Sequence, residues 1–163
     1  MATGDVTQPS GDQDPRQAGI LRRGEAGRPY RLGSMIQTLL VPSDAMSGHF
    51  EVWETWLPPG ASGPSAHVHD ALDKVFYVTE GRIEFIVGDH VEIGDVGCWV
   101  TIPRGTAHTF ANSDTVPARF LMIETPSGRE TMFKEMADAL PSDAPPDPHV
   151  MDAILRKYDT RPA

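Results

Sequence analysis

The 163-residue chain has a single cysteine, Cys98, so no disulfide can form within it and nothing in its composition calls for an oxidising compartment. It has no apolar run long enough to cross a bilayer. Its first residues also lack the charged start and apolar stretch of a secretory leader. A cytoplasmic location is the expectation that follows. Positive charge is scarce as well: 14 Lys and Arg stand against 23 Asp and Glu, a formal net charge of −9. A nucleic acid or an anionic membrane would be repelled, so neither is an expected partner, although the same charge also serves plain solubility. What is present in quantity is 15 Gly and 15 Pro beside 39% apolar residues. That balance suits one β-rich domain with many turns and enough length to bury a core.

The order of patterns along the chain supports this. Residues 1–19 are polar and without periodicity, and are expected to form a mobile arm or to add a strand to a partner subunit. Strand signals begin at Tyr30 and recur at Met35–Val41, His49–Leu57, Val75–Val78, Arg82–Val87, Cys98–Ile102, Thr109–Ala111 and Arg119–Glu124. Gly88-Asp89-His90 reads as a hairpin turn, with His90 solvated, and His49 reads as a surface residue. In His49–Leu57 one parity carries Phe50, Val52, Glu54 and Trp56 and the other Glu51, Trp53 and Thr55; the sequence leaves open which set faces inward. Cys98 is expected as a buried, inert thiol in a strand. Beyond Pro126 the period changes, and Arg129–Leu140 and His149–Tyr158 read as helices that cap a barrel face or pack at a dimer interface. Short strands separated by Gly/Pro turns imply an all-β sandwich or barrel over residues 20–127, with a helical extension over 128–163.

Two segments carry the chemistry. In the first, His67 and His69 stand two apart in an extended stretch, so both imidazoles can face one metal ion. In the second, Gly97, Pro103, Gly105, His108 and Asn112 follow at fixed spacing. Together they resemble the paired motifs of the cupin superfamily, G-x5-H-x-H-x3-4-E-x6-G and G-x5-P-x-G-x2-H-x3-N. The second motif matches at every position; in the first, His67, His69 and Gly81 fall in place and Gly60 comes one residue early. VFYVTEG, IPRGTAHTFAN and the run Thr125–Glu130 most resemble single-domain quercetin-dioxygenase-like cupins. The resemblance implies a double-stranded β-helix (the jelly-roll or cupin barrel), a homodimer, and His67, His69 and His108 as ligands of a divalent metal (Fe, Ni, Zn, Mn or Co).

One departure bears on function. The acidic ligand of the first motif is missing: counting from His69 reaches Asp73, and counting back from Gly81 reaches Lys74. Strand register favours Lys74, which shares its face with Phe76 and Val78 and leaves Asp73 pointing outward. Lys74 is therefore the candidate catalytic residue, as a neutral ligand or general base. The alternative is an ammonium bent away to Asp73 or Glu80. Phe76, Phe85, Trp99 and Phe110 are candidates for an aromatic pocket, or else core, and Asn112 and Arg104 are expected to build turns. The resemblance implies a metal-dependent enzyme acting on a small enolisable molecule, aromatic or polyketide-like, by dioxygenation or by non-redox cyclisation or isomerisation. The competing reading is a binding module whose metal site has degenerated and in which Lys74 supplies a fixed charge.

Overall fold

The computed structural model describes residues 27–140 and 147–163; the expectation for the arm, residues 1–19, lies outside them. The strands are β1 (Arg28–Leu32), β2 (Met35–Val41), β3 (Glu51–Leu57), β4 (His67–Val68), β5 (Asp73–Glu80) and β6 (Arg82–Val87). They continue with β7 (His90–Asp95), β8 (Trp99–Ile102), β9 (His108–Ala111) and β10 (Ala118–Thr125), then α1 (Glu130–Ala139), α2 (Pro148–Lys157) and a last short strand β11 (Arg161–Pro162). A six-stranded sheet in the order β1-β2-β3-β10-β5-β8 faces a five-stranded sheet in the order β11-β4-β9-β6-β7. All pairings are antiparallel, as expected of a double-stranded β-helix.

Alternation decides what enters the barrel. β3 buries Glu51, Trp53, Thr55 and Leu57, which settles the parity left open by its sequence. β5 buries Lys74, Phe76 and Val78 and half-exposes Asp73, as register required. β10 buries Ala118, Phe120, Met122 and Glu124. One half of the barrel is filled by aromatic rings: Phe120 lies 5.1 Å from Phe76 and 5.0 Å from Phe110, centroid to centroid. Phe85 stacks on Phe76 at 5.6 Å. These separations lie in the range that favours tilted and edge-on ring pairs.

The β6–β7 hairpin closes through Gly88 and Asp89, with Val87 opposite His90 and Gly88 at a φ of 59°, a left-handed conformation that a side chain would resist. His49 and His90 are exposed, as their positions suggested. Two expectations need correction. Cys98 is exposed in the turn before β8 rather than buried in a strand, because β8 is the edge strand of its sheet and begins only at Trp99. Trp99 is 62% exposed on that edge and stacks on Tyr77, so it lines no pocket.

The helices form where their period placed them. Asp147 caps α2 by accepting from the His149 N–H at 2.9 Å, with Pro148 at the first helical position. α1 sets Phe133 edge-on against Trp53 at 4.5 Å, covering the open end of the barrel. The chain then returns through Tyr158–Thr160, and β11 pairs Pro162 with His67 at the edge of the smaller sheet. The sequence had shown no sign of this last strand.

Candidate metal centre and adjoining cavity

His67 opens β4 and pairs across the sheet with His108, the first residue of β9; His69 follows one residue after β4. The two motif segments are tied at this point. Gly105, at a φ of 79°, donates its N–H to the carbonyl of His69 at 2.6 Å. Asp73 accepts from the Arg104 N–H at 2.8 Å and pairs with its guanidinium. The outward carboxylate thus anchors the turn that delivers His108 and cannot serve as a ligand.

All three imidazoles are buried, and one nitrogen of each lies within 4.8 Å of the others. Each Nδ1 meets a backbone carbonyl: His67 that of Ser65 at 2.9 Å, His69 that of Asp159 at 2.6 Å, and His108 that of Thr106 at 3.0 Å. A carbonyl only accepts, so each Nδ1 carries the proton and each Nε2 presents a lone pair. The Nε2 atoms of His69 and His108 are buried without a hydrogen-bond partner. Buried polar atoms are seldom left so, and metal-bound histidines commonly donate their second ring N–H to a carbonyl. Burial, reinforced by the Lys74 ammonium, pulls His67 down to about 3 and His108 to about 4, and moves His69 in the same direction. The rings are therefore neutral near neutral pH, the form in which an imidazole could hold a metal ion. The residues present fit a metal ion bound by three imidazoles.

Facing this cluster, the larger sheet carries a row of charge. Glu51 on β3, Glu124 on β10 and Lys74 on β5 stand opposite one another in register. Glu124 is fully buried and Lys74 nearly so, with Nζ 3.1 Å from Glu124 Oε1. The approach is off the hydrogen-bonding angle, and neither carboxylate oxygen of Glu124 has a hydrogen-bond partner. Burial lowers the Lys74 ammonium to about 8, against the opposing pull of Glu124. Glu124 is thus the counter-charge of Lys74. Asp73 is engaged by Arg104 and Glu80 by Arg119.

Glu51 has a different task. Its carboxylate accepts the N–H groups of Gly128 and Arg129, at 3.1 and 2.8 Å, at the start of α1. Burial and the neighbouring Glu124 hold its pKa above the usual carboxylate value. The buried Arg129 side chain reaches on to the Tyr158 carbonyl at 2.5 Å and the Thr160 hydroxyl at 3.2 Å, fastening the returning C-terminal segment beside His69. Glu51, Glu124 and Arg129 were not singled out from sequence. A signal existed for Glu124, which shares strand parity with Phe120 and Met122.

Beside His67 and Lys74, and walled by the two helices, lies a cavity of about 370 Å³. His67, Lys74, Gln37, Arg129, Asp152 and Arg161 are among its polar lining, and Met35, Met122, Met132, Met136, Met151 and Phe110 among the apolar. A cavity of this volume holds a small organic molecule. The thioether chains make its wall deformable.

Asn112 remains a structural residue, as its motif position implied. Its amide donates to the carbonyls of Val116 at 2.8 Å and Pro58 at 3.0 Å, and its oxygen accepts from the Asp114 N–H at 3.1 Å. Asn112→Ala should lower unfolding stability by about 2–3 kcal/mol, because buried carbonyls would be left unpaired. Urea denaturation measures this, and a loss well under about 1 kcal/mol would remove the role.

Residues 53–124 match the cupin domain family. Among solved structures, an RmlC-like cupin from Shewanella frigidimarina aligns over 71% of this chain and 97% of its own, at 19% identity and a TM-score of 0.59. A predicted oxalate decarboxylase from Thermotoga maritima aligns over 66% and 99%, at 20% identity and a TM-score of 0.62. A sugar phosphate isomerase of the cupin superfamily from Silicibacter pomeroyi is 29% identical, with a TM-score of 0.48 over 55% of this chain; the match spans 59% of that protein, less than two thirds of its length. No curated protein matches the chain. The match to the cupin domain spans under half of the chain, and the solved structures share its fold; His67, His69 and His108 form a cluster that could bind a metal ion. Likenesses this distant carry the fold and not an activity. Among the described residues, no helix is long and apolar enough to cross a membrane.

Proposed function

We propose that the protein is a metal-dependent cupin enzyme acting on a small, largely apolar, enolisable molecule held in the methionine-lined cavity. The observation that carries this reading is the shared tautomer of the three histidines: each Nδ1–H is fixed by a carbonyl, and two Nε2 lone pairs are buried with nothing to accept. His67, His69 and His108 would hold a divalent ion, with Fe, Ni, Zn, Mn and Co all compatible with imidazole ligands. Such an ion, when bound, polarises a substrate oxygen as a Lewis acid. The chain's own residues do the rest. The cavity holds the apolar body of the substrate, Lys74 on its wall is placed to hold or move a proton, and Glu124 behind Lys74 is the counter-charge. An anionic enolate would also be attracted by Lys74. Oxygen uptake with flavonols and other enediol-like compounds, under each metal in turn, tests dioxygenation. Product formation without oxygen uptake would instead favour cyclisation or isomerisation, and no turnover under any metal with any of these compounds would sink the enzyme reading.

A second reading has its own support in the Lys74–Glu124 pair, which stands where a carboxylate ligand is expected. On this reading the cavity binds a small molecule without turnover. Lys74→Met discriminates through the metal. Losing a cation beside the histidines should tighten metal binding by about tenfold or more, the effect of about 1.4 kcal/mol of relieved repulsion. Titration with a competing chelator measures it. Unchanged, negligible affinity in both proteins would leave the binding module as the function.

A further inference from the structure

We propose that Lys74 is an imine-forming residue: its amine condenses with the carbonyl group of an apolar aldehyde or ketone bound in the cavity, with Glu124 as the proton carrier and counter-ion. This goes beyond the metal reading and does not depend on it.

Four observations carry it. Lys74 lies on the cavity wall, nearly buried, with Met122 and Phe110 among the other lining side chains, where a bound carbonyl compound would meet it. Its only close counter-charge among the described residues is Glu124 at 3.1 Å, off the hydrogen-bonding angle, so the nitrogen is neutralised without being locked by aligned acceptors. Glu124 has both oxygens free of hydrogen bonds and is therefore available to take a proton. The chain's remaining lysines, Lys134 and Lys157, are exposed on the helices and paired with Asp138 and Glu135, an ordinary surface arrangement.

The chemistry balances within the site. The Lys74 ammonium gives a proton to Glu124, and the free amine adds to the carbonyl carbon, forming a C–N bond as the carbonyl π-pair moves to oxygen. The carbinolamine oxygen is protonated, the C–O bond breaks, and water leaves. Overall an ammonium and a carbonyl become an iminium and one water. No oxidant or reductant is required. Charge is conserved, because the iminium carries the same single positive charge beside Glu124 that the ammonium carried. This matters in a buried site, where a net change of charge would be costly. The thioether and aromatic part of the lining favours carbonyl compounds with an apolar body over sugars.

The test uses the whole protein with benzaldehyde as the probe, at mildly alkaline pH, followed by sodium cyanoborohydride to convert any iminium to a stable secondary amine. Peptide mapping by mass spectrometry then locates the added benzyl group. Lys74 should be labelled faster than Lys134 and Lys157, by about tenfold or more, because of the three it is the one on the wall of the cavity that would hold the probe beside its amine. The chain's α-amino group is read separately in the same map. Glyceraldehyde, small but polar, should not show the preference. Lys74→Arg keeps the cation beside Glu124 but has no amine for this reaction, and should lose the label with its circular dichroism and melting temperature unchanged. Label confined to Lys134, Lys157 and the α-amino group, or spread evenly over all lysines, overturns the proposal. A chelator-treated sample should show the same labelling pattern irrespective of metal, so failure here is distinct from failure of the metal centre.

Discussion

Protein purified without a metal-affinity tag should carry about one equivalent of divalent metal, as expected of a site with three imidazole ligands, and the His67→Ala/His108→Ala variant should carry almost none. The expected loss is large because the two histidines come from the two motif segments and face each other across β4 and β9. Changes to residues that merely orient a ligand cost about 10–100-fold in affinity, and removing two ligands costs more. Elemental mass spectrometry on both proteins, beside circular dichroism to show that the variant folds, decides the matter. Equal trace metal in both would sink the metal-centre reading. The orphaned Nε2 atoms of His69 and His108 would then be awaiting water or a polar ligand atom.

Glu124→Ala should be among the most damaging single changes in the barrel, costing about 3–5 kcal/mol, the range for removing one partner of a buried ion pair. It strands the Lys74 ammonium against the inner face of the sheet with its nearest counter-charge gone. Part of the loss is offset, since Glu51 is relieved of a like-charged neighbour that now holds its pKa high. The Lys74→Met/Glu124→Leu double variant should recover most of the stability, because an apolar pair of similar size avoids burying either charge. Guanidinium denaturation of the two single variants and the double variant completes the cycle. If Glu124→Ala costs less than about 1 kcal/mol, a value typical of exposed pairs, the pair contributes little and Lys74 has another way to satisfy its charge. The pairing also bears on function, because a lysine held by one carboxylate stays in the cavity instead of swinging out to solvent.

Much of this protein could be read without coordinates. The spacing of His67, His69, His108 and Asn112 resembles the paired cupin motifs, and that resemblance pointed to the three histidines that the structure brings together. Strand parity identified Lys74 as inward and Asp73 as outward. The change of period after Pro126 located both helices to within a residue or two.

Other features depended on partners far apart in the chain. Glu124 faces Lys74 only because β10 lies between β3 and β5, a neighbour relation fixed by the crossover of the jelly roll and invisible in local pattern. Cys98 and Trp99 looked like strand core, but their hydropathy could not tell that β8 is a sheet edge. The last strand, β11, is two residues long, too short to show any period. Yet the segment leading to it supplies the carbonyl that fixes His69. The methionines of α1 and α2 read as ordinary helix core and turned out to wall a cavity, because a helix's apolar face reports that it is covered and not what covers it. The sequence by itself determined the inward lysine, through the parity of a strand, and its resemblance to the cupin motifs implied the barrel and the histidine triad. Only the tertiary structure decided the counter-charge, the cavity and the C-terminal clasp, each of which depends on which strands and helices become neighbours.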